Sequence, residues 1–359
     1  MLCLLLLSCC SAGSQAAFAQ DSTQHHQSNL VLRGFADVYY ACAFTPPPNR
    51  VRSFTTQPLY HNECAVNLAV ISLAYSSDDV RGRVALQTGS YVESNYAAEQ
   101  ALWRNVHEAS VGVRLAEGIW ADAGIMPSHI GFESAISKDN WTYSRSLAAD
   151  YSPYFETGAK LSWSPNETLT LAVLVLNGWQ IIRETNSSKS LGTQVLWKPS
   201  SAFTVNWSTY VGNDAPDSIA AEMRVFNNFY AQLALNDRLS LAFVADVGVQ
   251  DFAASHPLAG NRLWWTTTIL GRYALNDRLA VAARLEHYSD PNGVIIPTGT
   301  RNNFQTSAAS INLDYALTSS VLWRVEARAF VSRDAVYPSE SGAMSTTDGF
   351  IATSIALSF

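Results

Sequence analysis

The residues from Gly124 to Gly158 place a histidine, several carboxylates and two kinds of cation in one loop-like stretch. Its candidate functional residues are His129, Glu133, Lys138, Asp139, Arg145 and Asp150, and Glu156 follows them. A histidine can act as a general base, an acid such as Glu133 or Asp139 can orient it, and Ser128, Ser134 or Ser144 could then be a nucleophile. Nothing in the spacing orders these residues into a triad, and the chain has neither a G-x-S-x-G elbow nor a P-loop. The same side chains could instead line a hole, so the surrounding elements must decide.

The composition favours a protein with more apolar surface than a soluble core requires. Of 359 residues, 48% are hydrophobic and only 15% are charged, whereas a typical soluble domain has about 25% charged residues. Aromatic residues are frequent, with 10 Trp, 15 Tyr and 15 Phe. The net charge of -7 and the lack of a basic cluster interleaved with aromatics exclude a nucleic-acid partner.

The N-terminus predicts export. An apolar run is followed by small residues and the A-x-A site Ala17–Ala19, so we expect residues 1–19 to be a signal peptide and residues 20–28 to be an N-terminal tail. No basic residue precedes Leu2, which leaves open whether Met1 is the true start. A lipoprotein site at Cys9 is a second interpretation.

The rest of the chain, 29–359, predicts a single domain of membrane-spanning strands. No other stretch has the roughly 18 apolar residues that a membrane helix needs, and strands survive in lipid only in a closed barrel. Alternating segments of about ten residues recur throughout. They cover 29–40, 64–75, 80–92, 106–116, 118–126, 154–164, 168–179, 190–198, 202–212 and 220–235, and six more begin near Leu239, Leu263, Leu279, Phe304, Val321 and Gly349.

The connections between these segments alternate between short turns and longer loops. This asymmetry is typical of outer-membrane barrels, with short turns in the periplasm and long loops outside. The hexapeptide ALNDRL occurs at 234–239 and at 274–279, which predicts two equivalent hairpins whose Asn and Asp favour the turn. The fold class is therefore all-β, a closed antiparallel transmembrane β-barrel of about 16 strands.

Alternation also assigns each strand two faces. Apolar positions predicted to face lipid are Val84, Leu86, Val111, Val113, Leu161, Trp163, Leu241, Phe243, Ile355, Leu357 and Phe359. Polar positions predicted to line the pore are Arg33, Asp37, Arg81, Arg83, Gln87, Glu108, Arg114, Asp122, Glu156, Lys160, Arg224, Asp246, Arg272, Arg284, Glu286, Asp314, Arg324, Glu326 and Arg328. A soluble sandwich would invert this arrangement, and parity alone does not distinguish the two.

Two cysteines remain after signal cleavage at Ala19, and they flank the first long loop. Cys42 and Cys64 could form a disulfide in an oxidising compartment, or could stay as two free thiols. His25 and His26 lie in the tail without a carboxylate or cysteine beside them, so no metal site is expected. We expect no cofactor.

Residues 127–153 form a loop of about 27 residues, longer than an ordinary connection. Its aromatic and charged residues could fold into the lumen and form a constriction that selects solutes by size and charge. Alternatively, the loop packs on the barrel wall and stiffens it.

Several long motifs carry a family resemblance. The segments GFADVYYACAFTPPPNR, VRGRVALQTGSYVESNY, HEASVGVRL, WADAGIMPSHIGFESAISKDNWTYSRSLAADYSPYFETGAKL and VLNGWQ resemble the outer-membrane β-barrel porins of the OmpL-like type. The likeness begins near Leu32 and implies a barrel pore, without implying a substrate or catalytic residues.

We therefore expect a non-enzymatic outer-membrane porin for passive diffusion of small hydrophilic solutes. Alternatives are a non-conducting structural or adhesive barrel and, less favoured, a barrel enzyme. Expected partners are membrane lipid, the solutes, and the barrel assembly machinery acting on the C-terminal Phe359; a homo-oligomer is left open. Arg81, Arg83, Arg114 and Arg284 are expected to form a basic strip opposite the acids of the loop.

Overall fold

The computed structural model describes Asn29–Phe359, and within these residues sixteen strands pair antiparallel into a closed barrel. Each strand pairs with its neighbours in the chain, and β1 pairs with β18 to close the cylinder. The barrel strands are β1 (Asn29–Ala43), β2 (Cys64–Ser76), β3 (Val80–Thr88), β4 (Val106–Ala116), β5 (Ile119–Pro127), β6 (Phe155–Asn166), β7 (Leu169–Leu176), β8 (Ser190–Ser200), β9 (Phe203–Asn213), β10 (Met223–Ala234), β11 (Leu239–Phe252), β12 (Gly260–Ala274), β13 (Leu279–Asp290), β14 (Phe304–Ala316), β15 (Val321–Ser332) and β18 (Thr347–Ser358).

The two faces of the strands follow the predicted alternation. Every apolar residue assigned to lipid is solvent-exposed on the outer surface, whereas the buried charged residues, such as Arg324 and Glu326, point inward. Because charge is inside and large apolar side chains are outside, the inverted soluble sandwich is excluded. Among the described residues, no helix is long and apolar enough to cross a membrane.

The repeated hexapeptide forms two equivalent hairpins, as predicted. The Asn236 side chain accepts hydrogen bonds from the amides of Arg238 and Leu239, both at 2.9 Å. Asn276 does the same for Arg278 and Leu279, at 2.9 and 3.0 Å. An Asn side chain that accepts backbone amides stabilises a tight turn locally, so the same sequence gives the same turn twice.

The opposite end of the barrel carries the long loops and some short elements that the sequence did not predict. These are α1 (Ser90–Asn95), α2 (Ala101–Arg104), a 3₁₀ turn (Ser137–Asp139), α3 (Leu147–Asp150) and a hairpin of β16 (Tyr337–Pro338) with β17 (Met344–Ser345). The strand expected over 80–92 ends at Thr88, since Gly89 adopts φ +131 and α1 starts at once.

An apolar cluster fills much of the lumen toward the long-loop end. Its buried aromatic members include Tyr39, Tyr143, Trp264 and Phe304, and Phe54 from the first loop packs against it. The loops therefore contribute to an interior core, in addition to the polar contacts described below.

The last residue of the chain completes the barrel. Phe359 exchanges two backbone hydrogen bonds with Gly34 of β1, at 2.9 and 3.0 Å. The Phe359 ring covers the position that a Gly34 side chain would occupy. A side chain at position 34 would therefore displace the Phe359 ring.

The possible disulfide between Cys42 and Cys64 is not formed. Cys42 and Cys64 are both free and exposed. Cys64 lies opposite Tyr40 in the β1–β2 register, so Cys42 is displaced by two residues along the strand. Such diagonal pairs are about 7–8 Å apart, beyond the usual Cα separation of a disulfide. The predicted signal peptide, the tail and His25 and His26 lie outside the described residues.

Candidate functional site

Residues 128–154, the inserted loop, connect the neighbouring strands β5 and β6 and reach across the lumen. At its middle, the Tyr143 amide donates to Asn312 of β14 at 3.0 Å. The Leu147 amide donates to Glu286 of β13 at 2.6 Å. Since β13 and β14 lie across the barrel from β5 and β6, the loop spans the interior.

The loop is shaped by hydrogen bonds between its own side chains and backbone. Asn140 accepts from the Ser134 amide at 2.7 Å and donates back to the Ser134 carbonyl at 2.8 Å. Ser146 caps α3 by accepting from the Ala149 amide at 3.2 Å, which is the usual role of serine at a helix N-terminus. Glu133 accepts from the Ser146 amide at 3.1 Å, and burial raises the pKa of the Glu133 carboxyl.

A buried ion network fastens the loop to the wall. Arg284 lies 3.0 Å from Glu286 and 3.2 Å from Glu326, and Arg328 lies 2.6 Å from Glu286. All four side chains are 0% exposed. Arg284 also donates to the Ser144 carbonyl at 2.7 Å. Because desolvated charges need close partners, these contacts tie loop and wall together.

A second set of contacts holds the first half of the loop. Arg324 binds Asp314 through two hydrogen bonds, at 2.7 and 3.0 Å. The same guanidinium donates to the carbonyls of Ser137 and Asn140. On β1, Asp37 accepts from the Ser137 hydroxyl at 2.7 Å. Asp37, Asp314 and Arg324 are therefore anchors for the loop.

Arg145 is enclosed within the loop. It pairs with Asp150 at 3.0 Å and lies 3.4 Å above the Tyr154 ring. Burial disfavours its charge, but Tyr154, Tyr91 and Asp150 outweigh that effect and raise the pKa of Arg145. Lys138 and Asp139 form a more accessible pair with each other, at 2.9 Å.

His129 is held by two acceptors. Nδ1 lies 2.9 Å from the Glu156 carboxylate and Nε2 lies 2.8 Å from the Thr209 carbonyl. Burial disfavours the charged ring, but Glu156 more than compensates, so the pKa of His129 is raised. Both nitrogens face acceptors, which favours a structural role for His129 over that of a base. Ser128 donates to Glu156 at 3.1 Å instead.

A cavity of about 1200 Å³ lies between the inserted loop and the short-turn end of the barrel, and we call it the vestibule. On its wall, Arg81 binds Asp122 through two hydrogen bonds of 2.7 and 2.6 Å. Arg83 lies 3.2 Å from Glu108. Four more charged residues that were predicted to line the pore also lie on the vestibule wall: Arg33, Lys160, Asp246 and Arg272.

The other predicted pore residues lie elsewhere. Arg114 pairs with Asp79 at 2.8 Å beside a short turn. Arg224 pairs with Asp214 at 3.3 Å toward the long loops. Gln87 donates to the Arg104 carbonyl at 2.9 Å.

The expected basic strip is not formed. Arg81 and Arg83 are on β3 and Arg114 is diagonal to Arg81 on β4, but Arg284 is in the anchoring network on β13. Of the four, Arg284 meets a loop acid, Glu133, at 3.8 Å. The alternation of polar and apolar residues predicted that these side chains face inward, but it gave no position along the barrel axis or around the barrel.

Neutral lumen residues were missed because only charged positions and one glutamine were selected. Asn228 donates to Asp246 at 2.6 Å and accepts from the Gly131 amide at 3.0 Å. Asn312 accepts a hydrogen bond from the Tyr143 amide of the loop. Both residues share the parity of a charged neighbour, Arg224 or Asp314, and this signal could have found them. Across the described part of the chain, no group of His, Cys, Asp and Glu could hold a metal ion.

Comparisons with known proteins agree with this architecture. Residues 29–359 match the model of a family described as "Putative beta-barrel porin-2, OmpL-like". The fold is similar to an anion-selective porin from Comamonas acidovorans (TM-score 0.62, 8% identity, 93% of this chain and 100% of that one). It is also similar to the outer membrane channel DcaP of Acinetobacter baumannii (TM-score 0.63, 11% identity, 92% of this chain and 97% of that one). A third similar structure is Salmonella typhi OmpF (TM-score 0.61, 15% identity, 92% of this chain and 97% of that one). No curated protein sequence matches the chain.

Proposed function

Because the chain belongs to the OmpL-like family of β-barrel porins, we propose that its inserted loop sets the size limit for small hydrophilic solutes diffusing through this outer-membrane channel. Membership of this porin family supports the outer-membrane location and the channel function. The role of the loop is the further step, and it concerns how the barrel of this chain selects what passes.

The crossing of the lumen by the inserted loop carries the proposal. A loop fixed on both sides cannot swing aside without breaking buried hydrogen bonds to the wall, so it narrows the barrel persistently. Its anchors are Glu286, Asn312, Arg324 and Glu326 on the far wall, and Glu156 at its own base. Polar side chains along such a narrowing determine which solutes pass.

Liposome swelling with sugars of increasing size tests the proposal. A variant lacking residues 132–149 should admit larger sugars than the wild type, and admit small sugars faster. The matched control lacks residues 340–342, an exposed tip of the β16–β17 hairpin. An unchanged size limit in the loop variant would refute the role of the loop, and wild-type liposomes that admit no sugar would indicate a non-conducting barrel.

The chain acts as a channel without catalysis in this proposal. His129 has both nitrogens committed to acceptors, while Ser144 donates to Glu326 at 2.9 Å and Ser134 accepts from the Ile136 amide at 3.0 Å. These contacts favour structural roles for the residues of the enzyme alternative. No cofactor is needed.

Two partners complete the proposal. A homo-oligomer is supported by the fold similarity to Vibrio cholerae OmpT in its trimer form (TM-score 0.59, 8% identity, 92% of this chain and 99% of that one). Recognition by the barrel assembly machinery stays a prediction for Phe359, which bonds to Gly34 at the β1–β18 seam.

A further inference from the structure

We infer that the vestibule gives this channel a preference for anions, because its cations exceed its acids and, among residues 29–359, four of these cations make no hydrogen bond or ion pair. The inference rests on the proposed channel function and names the class of solute that it favours. Seven Lys or Arg side chains line the vestibule, against five Asp or Glu.

The four cations are Arg33 on β1, Lys160 on β6, Lys198 on β8 and Arg272 on β12, and all line the vestibule. Within Asn29–Phe359, none of their side chains has a hydrogen bond or an ion pair. Each lies within six residues of the short-turn end of its strand. They thus surround one end of the lumen from separate parts of the wall.

The vestibule acids, in contrast, are mostly neutralised by cations. Asp122 is paired with Arg81, Glu108 with Arg83, and Asp139 with Lys138. Glu133 faces Arg284 at 3.8 Å and is covered by the inserted loop. Paired charges have weak fields at a distance, so the unpaired cations dominate.

Among the vestibule acids of the described chain, Asp246 has no cation within ion-pair distance. It accepts from Asn228 at 2.6 Å and is only 4% exposed, so one shielded carboxylate stands against four open cations. Acids such as Asp237 and Asp277 also occur on the short turns, where they are exposed to bulk water. Their effect is screened within about 10 Å at 0.1 M salt, whereas a low-dielectric wall focuses the field of the vestibule charges.

Reversal potentials in planar bilayers under a potassium chloride gradient test the inference. The wild type should pass chloride in preference to potassium. A variant with Arg33, Lys160, Lys198 and Arg272 all changed to Gln should lose several-fold in the chloride-to-potassium permeability ratio. The change of all four to Glu should make the channel prefer potassium. Because these side chains make no hydrogen bond or ion pair within Asn29–Phe359, folding should be retained, and migration of unheated protein on gels verifies it.

The control changes Arg238→Gln and Arg278→Gln on the two equivalent short turns, outside the vestibule, and should leave the ratio near that of the wild type. Wild-type selectivity should weaken as salt rises toward 1 M, where the screening length is about 3 Å. A conducting wild type that prefers potassium, or a four-residue Gln variant with unchanged selectivity, would overturn the inference. A wild type without any conductance would refute the channel function on which the inference depends.

Discussion

Glu326 of β15 accepts both the backbone amide of Ser144, at 2.5 Å, and its hydroxyl, at 2.9 Å. Ser144 lies near the middle of a loop that starts and ends on the other side of the barrel. This carboxylate is thus one of the anchors that hold the loop on the far side of the lumen, and Arg284 compensates its charge at 3.2 Å.

Glu326→Ala should destabilise the protein strongly, because it leaves Arg284 with one carboxylate fewer and the Ser144 amide without an acceptor. Breaking a buried ion pair by removing one partner costs about 3–5 kcal/mol. Denaturant unfolding in detergent micelles measures this loss, and proteolysis should cut the inserted loop sooner. The matched control, Glu340→Ala at an exposed loop tip, should leave both measurements unchanged. Equal stability of the two variants would show that the ion network does not anchor the loop.

His129 should stabilise the barrel in a pH-dependent manner. Its pKa is raised in the folded protein above the ordinary value of 6.5. A raised pKa means that this contribution is complete below about pH 6.5 and is lost as the pH rises through the folded-state value. The difference in unfolding free energy between wild type and His129→Gln should therefore be larger at about pH 6 than at about pH 9. A difference independent of pH would mean that His129 does not bind Glu156 as an imidazolium.

Phe359 should be needed for efficient closure, because its ring packs on Gly34 and its backbone completes the β1–β18 seam. Phe359→Ala and Gly34→Leu should each lower, several-fold, the fraction of protein that migrates as the compact folded form on unheated gels. The control, Leu357→Ala, removes an exposed side chain on the same face of β18. If Leu357→Ala lowered the folded fraction as much as Phe359→Ala, general loss of apolar surface would explain the result.

The barrel itself was predictable from local sequence pattern. Alternation with a period of two, tight-turn residues and an apolar outer face are each encoded within about ten residues. The prediction of β4 over 106–116 agrees with Val106–Ala116, and the sixteen strands of Asn29–Phe359 match the expected count. The alternating pattern continued past Gly89 and so predicted too long a strand, whereas the positive φ of Gly89 ends β3 at Thr88.

The sequence by itself thus determined the strands, their tight turns and the two chemically different faces of each strand. Tertiary structure decided which inward charges meet: Ser144 and Glu326 are far apart in the chain, and their contact depends on strand register, barrel curvature and the path of the loop. The same geometry put Arg284 on β13, away from Arg81 on β3, and placed Cys42 out of reach of Cys64. The alternation of side chains along a strand has a period of two residues, so it gives neither the height of a residue along the barrel axis nor its position around the barrel. Only the folded barrel therefore shows which inward charges anchor the loop and which line the vestibule.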